Sequence, residues 1–206
     1  LSCSEWTGVP LGTLLDEVGI DRRRAKFVLA EGADAAALSR TIPLAMAQDD
    51  VLVCYGQNGE MIRPEQGYPL RLLVSGVQGV SSVKWLRRIE VGDQPWFTRE
   101  EALHYIDLMP GGVHRQFTWI QEAKSVITSP SGGQVILDRG YHEITGLAWS
   151  GRGKVRRVDV STDGGRNWRT ARLQEPVLNK ALTRFRIDWS CNGGPALLQS
   201  RVIDDT

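Results

Sequence analysis

The chain has 206 residues, 25 basic and 24 acidic side chains, a formal charge of +1, three His and three Cys. That length holds one or two domains with real cores, and 41% apolar against 24% charged residues argues against disorder. The charge balance excludes a strongly electrostatic nucleic-acid binder, no apolar run is long enough for a membrane-spanning helix, and the scattered Cys make neither a disulfide scaffold nor a CxxC metal site.

Residues 5–20 read as a turn followed by a short helix. Pro10 suits a first helical turn, Leu11, Leu14, Leu15 and Val18 recur at helical spacing, and Gly19 suits the C-terminal cap. Residues 27–30 form a strand candidate, and 41–47 a strand end running into a short helix. Residues 51–57 are a second strand, and Asn58-Gly59 signals a hairpin into Glu60-Met61-Ile62. Residues 70–75 and 83–91 are apolar strands joined by 76–82, a loop whose glycines read as a simple connection. Thr98 is placed to cap a short helix over 99–104, and Met109-Pro110-Gly111-Gly112 breaks structure in a linker. From Ser125 onward the reading is all-β, with strands at 126–127, 134–137, 142–149, 155–161, 168–173, 182–189 and 196–203. Turn signals punctuate them regularly, which predicts an immunoglobulin-like sandwich with Trp149, Trp168 and Trp189 in its core or at an interface. The start at Leu1 and an apolar-then-turn end at Val202-Ile203-Asp204-Asp205-Thr206 make a piece of a larger protein the expectation.

Several segments, in order, resemble the sulfite oxidase family of molybdenum-cofactor enzymes. They are Trp6-Thr7-Gly8-Val9-Pro10-Leu11, Ser39-Arg40-Thr41-Ile42-Pro43-Leu44, Tyr55-Gly56-Gln57-Asn58-Gly59-Glu60, Gln66-Gly67-Tyr68-Pro69-Leu70-Arg71 and Val83-Lys84-Trp85-Leu86. Gly146-Leu147-Ala148-Trp149-Ser150-Gly151 and Val158-Asp159-Val160-Ser161-Thr162-Asp163-Gly164-Gly165 extend the match into the β-rich half. Within the family, Arg63-Pro64-Glu65-Gln66, Trp85-Leu86-Arg87-Arg88-Ile89 and Glu122-Ala123-Lys124-Ser125-Val126-Ile127-Thr128 are closest to the molybdenum subunits of sulfane dehydrogenases.

The resemblance implies an α+β fold: the C-terminal half of a sulfite-oxidase-type molybdopterin domain over 1–114, linker included, then an immunoglobulin-like dimerisation domain over 115–206 that is C-terminally incomplete. It implies a molybdenum–molybdopterin cofactor and the oxidation of sulfane sulfur held on a carrier protein. Electrons would pass to a c-type cytochrome subunit, in a periplasmic homodimer. A dehydrogenase for free sulfite and a non-catalytic binding or dimerisation module are the alternatives.

By motif position Arg71 and Lys84 match basic residues that contact the pterin, whose phosphate suits bidentate Arg and point-like Lys donors. From spacing alone both read as strand-end charges in water. Gln66 stands where vertebrate members carry His, able to donate a hydrogen bond without charge. Tyr105, 21 residues after Lys84, matches a tyrosine that hydrogen-bonds beside the metal. The family's metal is held by a cysteine in a Cys-x-Gly-Asn-like motif further upstream. Cys3 lies three residues before Trp6, in the wrong context, and Cys54 and Cys191 read as structural thiols, so no metal ligand is assigned in this chain. His104, His114 and His142 lack metal spacing. Residues 150–186 carry ten basic against three acidic side chains, a local +7 that reads as a solvated surface, an acidic partner's docking patch or a salt-bridged dimer face.

Overall fold

The computed structural model describes residues 3–117 and 119–206. They fall into two compact units, Leu1–Trp119 and Ile120–Thr206.

The first unit is built on two small antiparallel sheets. In one, β1 (Trp6–Pro10) pairs with β4 (Val51–Gln57), which also pairs with β5 (Glu60–Met61) and β6 (Arg71–Val74). In the other, β2 (Phe27–Gly32) lies between β3 (Ser39–Pro43) and β7 (Leu86–Gly92). Helices α1 (Leu11–Glu17) and α2 (Leu44–Asp49) each start directly after a proline that ends a strand. Leu11, Leu15, Val28, Ile42, Val51, Leu72 and Val83 are among the residues of one buried cluster. It joins both sheets to α1 and α2, and each such side chain taken from water contributes roughly 1.5–3 kcal/mol.

Residues 6–10, expected as a turn, are a strand. Their turn residues are used differently: Gly8 sits at a register shift, where a Cβ would come within 2.5 Å of the Val53 carbonyl oxygen, and Pro10 closes the strand. The expected helix follows at Leu11, with Val18 as its cap and Gly19 at φ +68 just beyond. The Asn58-Gly59 hairpin forms as read, with both residues at positive φ. The expected strand over 83–91 begins only at Leu86, because Trp85 turns to φ +49 and its indole N–H donates to the Pro64 carbonyl at 3.0 Å. Helix α3 (Arg99–His104) starts after Thr98 as expected, but the Thr98 hydroxyl makes no capping bond to the helix backbone and reaches the Ser39 carbonyl at 3.1 Å. The linker after it carries an unforeseen hairpin, β8 (Ile106–Leu108) with β9 (His114–Gln116), whose turn absorbs the Pro-Gly-Gly breaker. Phe117 is buried edge-to-face with Phe97, and Trp119 donates its indole N–H to the Thr41 carbonyl at 3.0 Å.

The second unit is a two-sheet sandwich. One sheet runs β10 (Lys124–Ser129), β11 (Gly140–Trp149), β15 (Thr183–Cys191), β14 (Arg172–Leu173), and the other β13 (Arg169–Thr170), β12 (Val155–Ser161), β16 (Gln199–Asp204). Ile144, Ala148 and Phe185 from the first meet Val155, Val158 and Val160 from the second in a buried core, with Trp189 packed against it. The segment read as one strand over 168–173 is two short ones. Either side of buried Ala171 the chain passes from one sheet to the other, β13 pairing with β12 and β14 with β15. Residues 134–137 form no strand, and Val135 and Leu137 stand exposed. A short apolar run, Val135-Ile136-Leu137, was not enough without a partner edge to pair with.

The turn after β12 is held by Asp163. Its carboxylate accepts from the backbone and side-chain N–H of Asn167 at 3.0 and 2.8 Å and from the Ser161 hydroxyl at 2.8 Å. These bonds hold the carboxyl down at about 2, against 3.8 in the open chain. A depressed pKa contributes stability above the unfolded value, lost as pH falls through the folded one. Acid titration followed by Trp fluorescence should therefore show stability falling from about pH 4 to about pH 2. The Asp163→Asn variant should be weaker at neutral pH and flatter across that window.

Candidate cofactor-binding site

Gln66, Arg71 and Lys84 come together around one glycine. Pro64–Gln66 form a single turn of 3-10 helix that ends at Gly67, held at φ +108. A Cβ on Gly67 would lie 2.9 Å from Lys84 Cβ and 3.2 Å from Arg71 Cβ. Only glycine allows both this left-handed conformation and this approach. The turn thus lies against the roots of both cations. Replacing Gly67 by Ala combines strain with a steric clash and should destabilise the first unit by about 1–3 kcal/mol. In the full-length protein it should lower bound pterin, measured as pterin released per chain.

Arg71, at the start of β6, is 7% exposed. Its guanidinium lies over the Trp6 ring at 4.6 Å and donates to the backbone carbonyls of Gln66 at 3.0 Å and Ser82 at 3.2 Å. Burial pulls its pKa below the ordinary value, partly countered by nearby Cys54, yet a guanidinium remains charged in proteins. Lys84 Nζ donates to the Glu65 carbonyl at 2.6 Å. Both cations are therefore braced by backbone oxygens rather than neutralised by carboxylates. An ammonium has three donors and a guanidinium five, so each retains N–H groups beyond the bonds just described. Two fixed positive charges beside an exposed Gln66 amide fit the phosphate and polar edge of a pterin.

Cys54 lies beneath Arg71 in the neighbouring strand, Cys54 pairing with Arg71 in register. Burial pushes its thiol up to about 11, so it is a neutral core group at pH 7 and no thiolate ligand. Cys3 is exposed and Cys191 half-buried. Among the described residues no three His, Cys, Asp or Glu side chains cluster as a metal site would require.

Tyr105 belongs to a second cluster, at the C-terminal cap of α3. Its half-buried ring carries the Arg40 guanidinium at 4.2 Å from the ring centre. Arg40, on β3, and Glu101, on α3, are both fully buried with an N–O separation of 3.7 Å. Arg40 lies within the Ser39–Leu44 motif, which carries no sign of its role. Arg40, Thr41 and Ile42 are buried in succession, so no alternation in the sequence marks Arg40 as inward. The structure also places Arg172 opposite Arg186 across β14 and β15, with Arg184 two residues before Arg186. All three are exposed, and no ion pair engages them among the described residues.

Residues 1–99 match the family model for the oxidoreductase molybdopterin binding domain, and residues 115–191 that for the Mo-co oxidoreductase dimerisation domain. The chain is 34% identical over 189 residues to mitochondrial sulfite oxidase of Homo sapiens, covering 84% of this chain and 34% of that protein. It is 35% identical over 201 residues to the NADPH nitrate reductase of Pichia angusta, covering 85% of this chain and 23% of that protein. Among solved structures, sulfane dehydrogenase SoxCD from Paracoccus pantotrophus superposes with a TM-score of 0.93 at 49% identity, over 98% of this chain and 52% of that one. The chain thus spans between about a quarter and a half of the length of the proteins it matches.

Proposed function

We propose that this chain, which belongs to the sulfite oxidase family of molybdopterin oxidoreductases, is part of a sulfane dehydrogenase that oxidises sulfane sulfur held on a carrier protein. The observation that carries this reading is the convergence of Arg71, Lys84 and Gln66 on Gly67 in a chain 49% identical to SoxCD. The family's cofactor is molybdenum–molybdopterin, and when bound it supplies two-electron redox chemistry. Each oxygen atom added to sulfur comes from water and leaves two protons and two electrons to be carried away.

The chain's own residues bind and orient. Arg71 and Lys84 hold the pterin phosphate between two braced cations, and Gln66 donates a neutral hydrogen bond beside them. Tyr105 offers a phenolic O–H to charge that develops on oxygen, and it does so without a charge of its own. Cys3, Cys54 and Cys191 take no part in holding the metal in this reading.

The partners in this reading are a c-type cytochrome subunit that takes the electrons, the sulfur-carrier protein and a second copy joined through the sandwich. The match to a dimerisation domain supports the homodimer. Uncompensated Arg172, Arg184 and Arg186 support docking of an acidic partner, since like charges facing each other across strands are unfavourable without one. The same reading places the protein in the periplasm, which cell fractionation checks.

The deciding experiment uses full-length protein purified from cells that make the cofactor, with its pterin and molybdenum assayed first. It compares oxidation of carrier-bound sulfane, oxidation of free sulfite and reduction of nitrate. Turnover confined to the carrier-bound substrate is the expected result. Preference for free sulfite would make it a sulfite dehydrogenase, and absence of pterin and molybdenum would leave only a binding module.

A further inference from the structure

Arg40 stands out as a buried cation that the fold alone does not explain. Its side chain is 0% exposed, and all three guanidinium nitrogens lack a hydrogen-bond partner. Buried arginines are ordinarily bonded through several N–H groups, and leaving such donors unpaired is costly. Burial accordingly pulls its pKa down, with Glu101 and then Tyr105 pulling the other way.

The partner carboxylate does not need Arg40. Glu101 Oε1 accepts from the Thr41 backbone N–H at 2.6 Å, and Oε2 lies 3.0 Å from the hydroxyls of Thr41 and Thr98, which also reach the Trp96 and Ser39 carbonyls at 3.0 and 3.1 Å. The Thr41 bonds dock α3 on β3, and Thr98, at the N-terminus of α3, closes the first turn onto Glu101. Arg40 adds only a 3.7 Å ion contact to them, and a stack on the Tyr105 ring. Glu101 and Tyr105 are four residues apart, so they share one face of α3, and Arg40 lies against both. The arginine therefore touches the docked turn of the helix and the aromatic ring that follows it.

We infer that Arg40 is a positioning residue for Tyr105, holding its ring against β3 through a buried cation–π stack anchored on Glu101. The inference rests on the role proposed for Tyr105, and it specifies how that phenol is aimed. A cation over the ring face restrains the plane and tilt of the ring and leaves the hydroxyl at its edge free to serve another group. Small displacements of a reacting group are enough to lose rate.

The test uses the full-length holoenzyme with Arg40→Met, which keeps volume and removes charge, and Arg40→Lys, which keeps charge. Arg40→Met with Glu101→Gln guards against an unpaired buried carboxylate disturbing the fold. Ring position is read directly from the fluorine resonance of 3-fluorotyrosine placed at position 105. Arg40→Met, alone and with Glu101→Gln, should shift and broaden it, and Arg40→Lys should largely restore it. An identical resonance in all variants would overturn the inference.

Rate per bound molybdenum gives the second readout. Arg40→Met should lower kcat about tenfold with KM little changed, but by at most about twofold in a Tyr105→Phe background, because the group it aims is then gone. Equal losses in both backgrounds would mean a general structural role and would also overturn it. Should Tyr105→Phe alone leave the rate unchanged, the catalytic reading of Tyr105 fails, and the fluorine resonance still decides whether Arg40 places the ring.

Discussion

Tyr105→Phe in the full-length holoenzyme should lower turnover per bound molybdenum by about a hundredfold, on the order of 3 kcal/mol of transition-state stabilisation, with metal content unchanged. The substitution deletes one oxygen and keeps the ring. The aromatic face beneath Arg40 survives, so the 4.2 Å stack and the docking of α3 through Glu101 are preserved. A loss of rate at full loading therefore reports the hydroxyl alone. If the hydroxyl only meets solvent, the change stays within a few tenths of a kcal/mol, the usual range for a surface substitution. An unchanged rate per molybdenum would remove Tyr105 from the chemistry and leave this chain with cofactor anchors only.

Arg71→Ala should act in the opposite sense, removing pterin and molybdenum together. The loss has two sources. The cation proposed to hold the phosphate disappears, and the carbonyls of Gln66 and Ser82 lose their donor. Each such loss costs about 1–3 kcal/mol where the oxygen stays buried, so the turn that carries Gln66 should loosen before any ligand is bound. Thermal denaturation of cofactor-free protein separates the two sources. A lowered midpoint with Arg71→Ala and a smaller change with Lys84→Ala are expected, because Lys84 makes one backbone bond at the surface. Equal pterin retention by wild type and Arg71→Ala would refute the anchoring role.

Local chemistry made much of the fold legible in the sequence. Asn58-Gly59, Thr98 and the turn signals that bound 142–149 and 155–161 lie in adjacent residues, and each element formed. The misreadings share a different cause. Residues 6–10 became a strand because β4 offers an edge, Trp6 pairing with Gln57 and Pro10 with Leu52, and 134–137 stayed irregular for want of one. Pairing across such distances leaves no trace in a short window. The site divides in the same way. Gln66, Arg71 and Lys84 were singled out by their motifs, whereas the unpaired state of Arg40 exists only once β3 and α3 meet. No spacing rule connects position 40 to position 105.

The crossing of the chain between sheets at Ala171 has a mechanical consequence. β13 and β14 are separated by a single residue, yet each is hydrogen-bonded into a different sheet. Neither sheet can peel away without pulling on the other through that one peptide. Separation of the layers would also expose Ile144, Val158 and Phe185, which are buried between them. Opening of the second unit should then be all-or-none. Native-state hydrogen exchange would show this as amides of β12 and β15 sharing one opening free energy rather than two.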